Sequence, residues 1–248
     1  NKMTDAANYA EAVLANSSFS LASTAMDFSK NWVAGNSSPE IIFAYVNNSR
    51  ASSPLNFTLY VNDTDGSWNY APSDWCYNSL FADDNTLSRK GDVRLKATFT
   101  SQDANRVIKY PNGTYQLAET SDYTCTPVVI SRISEMYLIK AEALGKTNGA
   151  AALVEYMKKR YTTAPSEAAI KALSDKEYQT LILDERRREF YAEGMRWQDI
   201  KRTNRLELLE TLDGRTYLMY YPIPQDEIDM AGTVAYPQNP GYAGYTGN

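Results

Sequence analysis

Between Leu181 and Arg202 the chain reads LILDERRREFYAEGMRWQDIKR, and this stretch limits the fold more than any other. Glu185, Glu189 and Glu193 recur every four residues, so a helix lines them along one face. Arg186 stands three residues before Glu189 and Arg196 three after Glu193, so each can reach a carboxylate. Gly194 interrupts the pattern, and Trp197 and Ile200 start a second apolar stripe. Paired carboxylates are what a glycosidase needs. A carboxylate held by an arginine, however, stays ionised and makes a poor general acid. The spacing therefore reads as an ion-paired scaffold first and as an acid/base set second.

The rest of the composition removes whole classes of chemistry. The 248 residues contain no histidine, which excludes Ser-His-Asp and Cys-His catalysis, His-based zinc sites and a histidine pH switch. The net charge of −5 comes without a basic tract, and Arg186-Arg187-Arg188 is interleaved with glutamates, so nucleic acid is not the expected partner. Cys76 and Cys125 are too few and too far apart for a zinc site; a disulfide and two separate thiols both remain open. Asp63, Asp65 and Asp74 do not match the EF-hand spacing, so no metal and no cofactor is expected. No apolar run reaches membrane-spanning length.

Along the chain the pattern changes three times. Residues 1–46 read as helical, with Thr4 as a cap, Ala7, Ala10, Val13 and Leu14 on one stripe, and Leu21, Ala25, Phe28 and Trp32 on the next. Glu40-Ile41-Ile42-Phe43 leads into a buried strand or turn. Residues 47–131 lose helical periodicity and read as irregular, with turn signals at Asp65-Gly66 and Asn112-Gly113 and a hairpin flanking Pro111 to Thr114. The Asn-x-Ser/Thr triplets at Asn56, Asn62 and Asn112 fit loop composition. Residues 132–205 return to helix. Ile133, Met136, Tyr137, Ala141 and Leu144 form a stripe ended by Gly145, Asn148-Gly149 makes the turn, and Ala150, Leu153, Val154 and Met157 face it, like a tetratricopeptide pair. Pro165-Ser166 restarts a helix, and Ser174 with Glu177 forms a capping box. Residues 206–248 hold a strand candidate, Thr216 to Tyr221, and a Pro- and Gly-rich tail expected to pack.

Ligand contacts are sought in the segment from Gly66 to Phe81, which reads as a loop. Trp68, Tyr70, Trp75, Tyr77 and Phe81 cluster there with Asn69, Asp74 and Asn78. Flat aromatics cover the apolar face of a sugar ring, and amides and carboxylates take its hydroxyls. The alternative is that the loop packs on its own aromatics. Trp32, on a helical stripe, reads as core.

Several strings together resemble one family. They are the Leu181–Arg202 stretch, RISEMYLIKAEALG at 132–145, Asp92-Val93-Arg94 followed by Lys109-Tyr110, and YPIPQDEIDMAGTVAYPQNPGY at 221–242. They resemble SusD/RagB, the nutrient-binding lipoproteins of Bacteroidetes outer membranes. The resemblance implies one SusD-like domain over residues 1–248, the C-terminal portion of a longer protein, mostly α with tetratricopeptide-like helix pairs and a large irregular region. It makes Glu185, Arg186, Glu189, Glu193, Gly194, Arg196, Trp197, Asp199 and Arg202 a structural signature, with arginine and tryptophan holding the last repeat to the body. It implies non-enzymatic capture of a glycan or oligosaccharide at the cell surface and delivery to a SusC-type TonB-dependent transporter. The membrane is then met only through a lipid anchor that this chain does not carry. The rivals are a tetratricopeptide adaptor for a protein or peptide and a carboxylate-based glycosidase. Which glycan is bound, and which transporter receives it, the sequence does not say.

Overall fold

The computed structural model describes residues 2–33, 38–46, 71–99, 107–109, 127–209, 212–232 and 236–244. They are mostly helical, and they fall into two compact units, Asn1–Glu193 and Gly194–Asn248.

In the first unit, α1 (Lys2–Leu14) buries Ala7 and Ala10 against the helical stretch Ile133–Arg160, where small side chains let two helices approach. Thr4 lies inside this helix and does not cap it. Asp5 in the first turn suits the positive end of the helix dipole. Helix α2 (Ala25–Ser29) is capped by the Thr24 hydroxyl, which accepts from the Asp27 amide at 3.1 Å. Phe28 and the following Trp32 are fully buried and meet edge to face at 5.1 Å, so Trp32 is core as its stripe predicts.

Two small antiparallel ribbons bring distant stretches together. Strand β1 (Ile41–Tyr45) pairs with β3 (Val128–Arg132), placing Ile41 opposite Arg132. Strand β2 (Lys90–Asp92) pairs with β4 (Tyr161–Thr163), placing Asp92 opposite Tyr161. Helix α3 (Val93–Thr98) starts from Asp92, whose carboxylate accepts from the Arg94 amide at 2.9 Å. The expected buried strand after Glu40 is only half right. Glu40 is buried, but Phe43 and Tyr45 are 48% and 61% exposed, because a two-stranded ribbon has a face that nothing in the ribbon covers.

Helix α4 (Ile133–Arg160) is a folded-back pair. Gly145 takes φ 67°, ψ 175°, outside the helical region. The Tyr137 hydroxyl then bonds Glu155 at 3.0 Å. Eighteen residues of straight helix would separate these two by roughly 27 Å. The break predicted at Gly145 is right, but Asn148 and Gly149 lie within the second arm and do not make the turn. Gly149 is instead a contact point, where a Cβ would collide with the Ala141 carbonyl oxygen of the first arm. Helices α5 (Glu167–Ala172) and α6 (Asp175–Glu189) follow. Ser166 caps the first, and Ser174 with Glu177 closes the predicted capping box on the second.

The second unit opens at Gly194, whose φ of 79° starts α7 (Met195–Thr203). Ile200 is buried with Leu212 and Met219. Thr216–Met219 forms a short 3₁₀ turn and not the expected strand, for no second strand lies beside it among the described residues. After α8 (Gln225–Met230) the tail is held by side chain to backbone bonds. Gln238 both donates to the Ile223 carbonyl and accepts from its amide, at 2.8 and 2.7 Å, and the Tyr242 hydroxyl donates to the Tyr220 carbonyl at 2.6 Å. Among the described residues no helix is long and apolar enough to cross a membrane.

Candidate functional site

The segment around Trp75 is a helix and not a loop. It runs from Asp74 and widens into a π turn over Cys76–Leu80, where the Phe81 amide reaches back five residues to the Cys76 carbonyl at 3.1 Å. Its apolar side faces a cluster of Cys76, Leu80, Phe81, Phe99 and Val107. Phe81 is 3% exposed and meets the Phe99 ring at 5.3 Å. Phe81 is therefore core, and the expectation that it touches ligand is corrected: position 81 faces inward once the segment coils. Tyr77 is half-buried against Phe99 at 5.2 Å. Cys76 is a free, buried thiol whose sulfur lies 3.2 Å from the Tyr191 hydroxyl.

What the helix turns outward is Asp74, Trp75 and Asn78. Trp75 is 40% exposed, and the Arg187 guanidinium of α6 lies over its ring at 4.3 Å. An indole held by a cation on one side is a rigid flat surface at low conformational cost. Trp68, Asn69 and Tyr70 lie outside the described residues, as do Asp63, Asp65, the three Asn-x-Ser/Thr triplets, Cys125 and most of the predicted 107–117 hairpin. The sequence reading missed Phe43 and Tyr45, whose exposed rings meet at 5.1 Å. Their alternate spacing on one strand was the available signal.

The Leu181–Arg202 carboxylates do the opposite of facing a ligand. The helix ends at Glu189, so Glu193 sits beyond it and does not continue the face. All three carboxylates nevertheless meet the same buried web. Glu189 takes Arg132 at 2.5 Å, Arg160 at 2.9 Å and Arg94 at 3.3 Å, with the Tyr156 hydroxyl donating at 2.8 Å. Glu185 takes Arg188 at 2.8 Å, Arg94 at 2.9 Å and the Tyr161 hydroxyl at 2.6 Å. Glu193 takes Lys109 at 2.7 Å and Arg132 at 2.9 Å. Glu40 joins through Arg160 at 2.8 Å, and Asp92 through Arg94 at 2.7 Å. Five carboxylates (Glu40, Asp92, Glu185, Glu189, Glu193) thus face five cations (Arg94, Lys109, Arg132, Arg160, Arg188). The partners come largely from other elements and not from the helical neighbours. Arg186 pairs with Glu135 at 3.2 Å.

Electrostatics fix the protonation states. Burial alone would raise Glu189, but Arg160, Arg132 and Arg94 outweigh it and hold the carboxyl well below its ordinary range. Glu185 is likewise lowered, with burial opposed by Arg94 and Arg188. Burial pushes Lys109 down to about 8 despite Glu193 beside it. Glu185 and Glu189, buried and held ionised in this way, are unsuited to the role of general acid. In the second unit, Asp199 is buried and bonded to Arg202 at 2.9 Å, Arg196 is half-buried, and Trp197 is 37% exposed. Among the described residues no cluster of histidine, cysteine or carboxylate could hold a metal ion.

The SusD family model matches residues 81–215, more than half of the chain. A SusD-like protein P38 from Formosa agariphila is 30% identical over 142 residues, which is 52% of this chain but 27% of that protein. Among solved structures, a SusD superfamily protein from Bacteroides thetaiotaomicron superposes with a TM-score of 0.66 at 24% identity. The match covers 96% of this chain and 57% of that one. Surface glycan-binding protein A of the same organism, solved with laminarihexaose, gives a TM-score of 0.60 at 20% identity, covering 96% of this chain and 59% of its own. The chain therefore spans about a quarter of the curated relative and less than two thirds of these solved chains, and it shares their fold.

Proposed function

Because this chain belongs to the SusD family, we propose that it binds a glycan or oligosaccharide at the cell surface without transforming it, as the C-terminal portion of one SusD-like domain. In this reading the ligand passes to a SusC-type TonB-dependent transporter, and the protein is held at the outer membrane by a lipid anchor. The observation that carries it is Trp75: a large flat ring, 40% exposed and seated on a guanidinium, with Asn78 and Asp74 beside it to meet hydroxyls. The structure similar to this one that holds laminarihexaose supports a glycan as the ligand class.

A glycosidase needs one carboxyl that starts protonated, as general acid, and a second, ionised carboxylate as base or nucleophile. The signature carboxylates are ion-paired and buried. Asp84, Glu177 and Asp184 do line one groove of about 570 Å³. Yet Asp84 accepts from the Thr86 and Leu87 amides, and Glu177 is lowered by its bonds to Ser174 in the capping box. A lowered carboxyl such as Glu177 is unsuited to the acid role.

The test is calorimetric titration against a panel of soluble oligosaccharides, for the parent and for the double variant Trp68→Ala/Trp75→Ala. Binding that the double change removes is the expected result. Binding to a peptide and to no sugar would favour the adaptor reading, and release of reducing sugar would overturn the non-enzymatic one.

A further inference from the structure

Arg187 is the middle member of three consecutive arginines on α6, and its neighbours are both ion-paired. Arg186 is paired with Glu135 at 3.2 Å and Arg188 with Glu185 at 2.8 Å. Arg187 alone of the three has no carboxylate partner among the described residues. It lies half-buried over Trp75, with its centre 4.3 Å from the ring centroid. A guanidinium carries five N–H donors and cannot shed its proton. Stacking on an indole satisfies its face and leaves the in-plane donors free of any carboxylate among the described residues.

Resting on the glycan-binding reading above, we propose that the Trp75–Arg187 pair selects an acidic sugar, one bearing a carboxylate or a sulfate ester. The ring would stack on the exposed face of Trp75, while the acidic substituent reaches past the ring edge to the Arg187 donors. The two oxygens of a carboxylate, or two of the three terminal oxygens of a sulfate ester, match the guanidinium fork in a way that hydroxyls do not. Asp74, next to Trp75, is exposed and opposes an anion from a position where salt and water screen it. Arg187 is half-buried and held against the ring, so its charge is the better focused of the two. The pairing also accounts for an otherwise costly choice, a half-buried cation that has no ion-pair partner among the described residues, beside a web in which every cation has one.

The experiment is a calorimetric comparison using the full chain. Three oligosaccharides of equal length serve as probes: a neutral one, one with uronate units and one with sulfate esters, each at low and at high salt. The expected result is that at least one acidic probe binds ~10-fold more tightly than the neutral one, the size of one charge-assisted hydrogen-bond set. That preference should shrink at high salt and disappear in Arg187→Gln, with Arg187→Lys retaining part of it. The two acidic arms tell carboxylate from sulfate. If neutral and acidic probes bind alike, or Arg187→Gln keeps the preference, the acidic-sugar inference is wrong while glycan capture stands. If no probe binds, both fall. A circular dichroism melt of each variant separates lost binding from lost folding.

Discussion

Arg187 and Arg188 are neighbours in sequence and opposites in circumstance. Arg188 is 5% exposed, paired with Glu185 and committed to the web beneath α6. Arg187 lies against Trp75 at the surface without a carboxylate among the described residues. The same contrast runs through the aromatics: Phe81 is sealed against Phe99, and Trp75, six residues earlier, is 40% exposed. Residue type does not separate the scaffold from the surface that could hold a ligand. What separates them is whether each charge or ring already has its partner. A charge web whose members satisfy one another is closed to outside ligands, whereas an exposed ring with a donor-rich cation is open to them.

The comparison can be broken most forcefully at Glu189. Removing one charge from a buried pair leaves its partners uncompensated and costs about 3–5 kcal/mol. Glu189 answers to three arginines. Glu189→Gln should therefore lower the denaturant midpoint severely or prevent folding, and a midpoint near the parent's would show that the web is not structural. Next comes Phe81→Ala, which opens a cavity in the 76–107 cluster and should cost about 3–5 kcal/mol by chemical unfolding. A loss under about 1 kcal/mol would return Phe81 to the surface side of the comparison.

Acid should erode the web gradually. Both Glu185 and Glu189 have folded pKa values below the ordinary 4.5. Such groups stabilise the fold fully above that value, and the contribution is lost as pH falls through the lowered folded values. Unfolding midpoints should thus hold level from neutral pH to about 5 and fall below 4.5. A flat profile to pH 3 would count against the paired carboxylates. The smallest effect is expected at Trp75→Ala. Its ring is exposed and touches a cation at the surface, so stability should change by less than about 1 kcal/mol while glycan affinity drops. A large stability loss instead would make Trp75 scaffold and dissolve the contrast.

Much of the first unit was legible beforehand. The capping box at Ser174 and Glu177, the helix start at Ser166, the break at Gly145 and the core role of Trp32 all follow from local chemistry, and each stands as read. The turn was misplaced because Asn148-Gly149 looks like a turn pair, whereas Gly149 serves close helix contact and Gly145 alone bends the chain. In the sequence the candidate site looks like a loop because Ser, Asp and Asn are interspersed through it. In fact the 74–80 segment coils, since that lets Cys76, Leu80 and Phe81 bury together. That coil sorts the predicted contacts: Trp75, Asp74 and Asn78 point outward, Tyr77 is half-buried and Phe81 turns in.

The sequence by itself pointed to ion-paired scaffold over 185–193, because arginines and glutamates interleave there, although among the described residues only Arg188 with Glu185 pairs at helical spacing in that stretch. It also excluded histidine chemistry and pointed to helix pairs and to the family. Which arginine answers which carboxylate was decided only by tertiary structure. The β1–β3 and β2–β4 ribbons deliver Arg132, Arg94 and Tyr161 to α6 from positions far away in the chain. Tertiary structure also decided that Arg187 and Trp75 would meet at the surface. Their separation in sequence leaves no local signal, and a contact of that kind exists only once the helices bearing the two residues are packed.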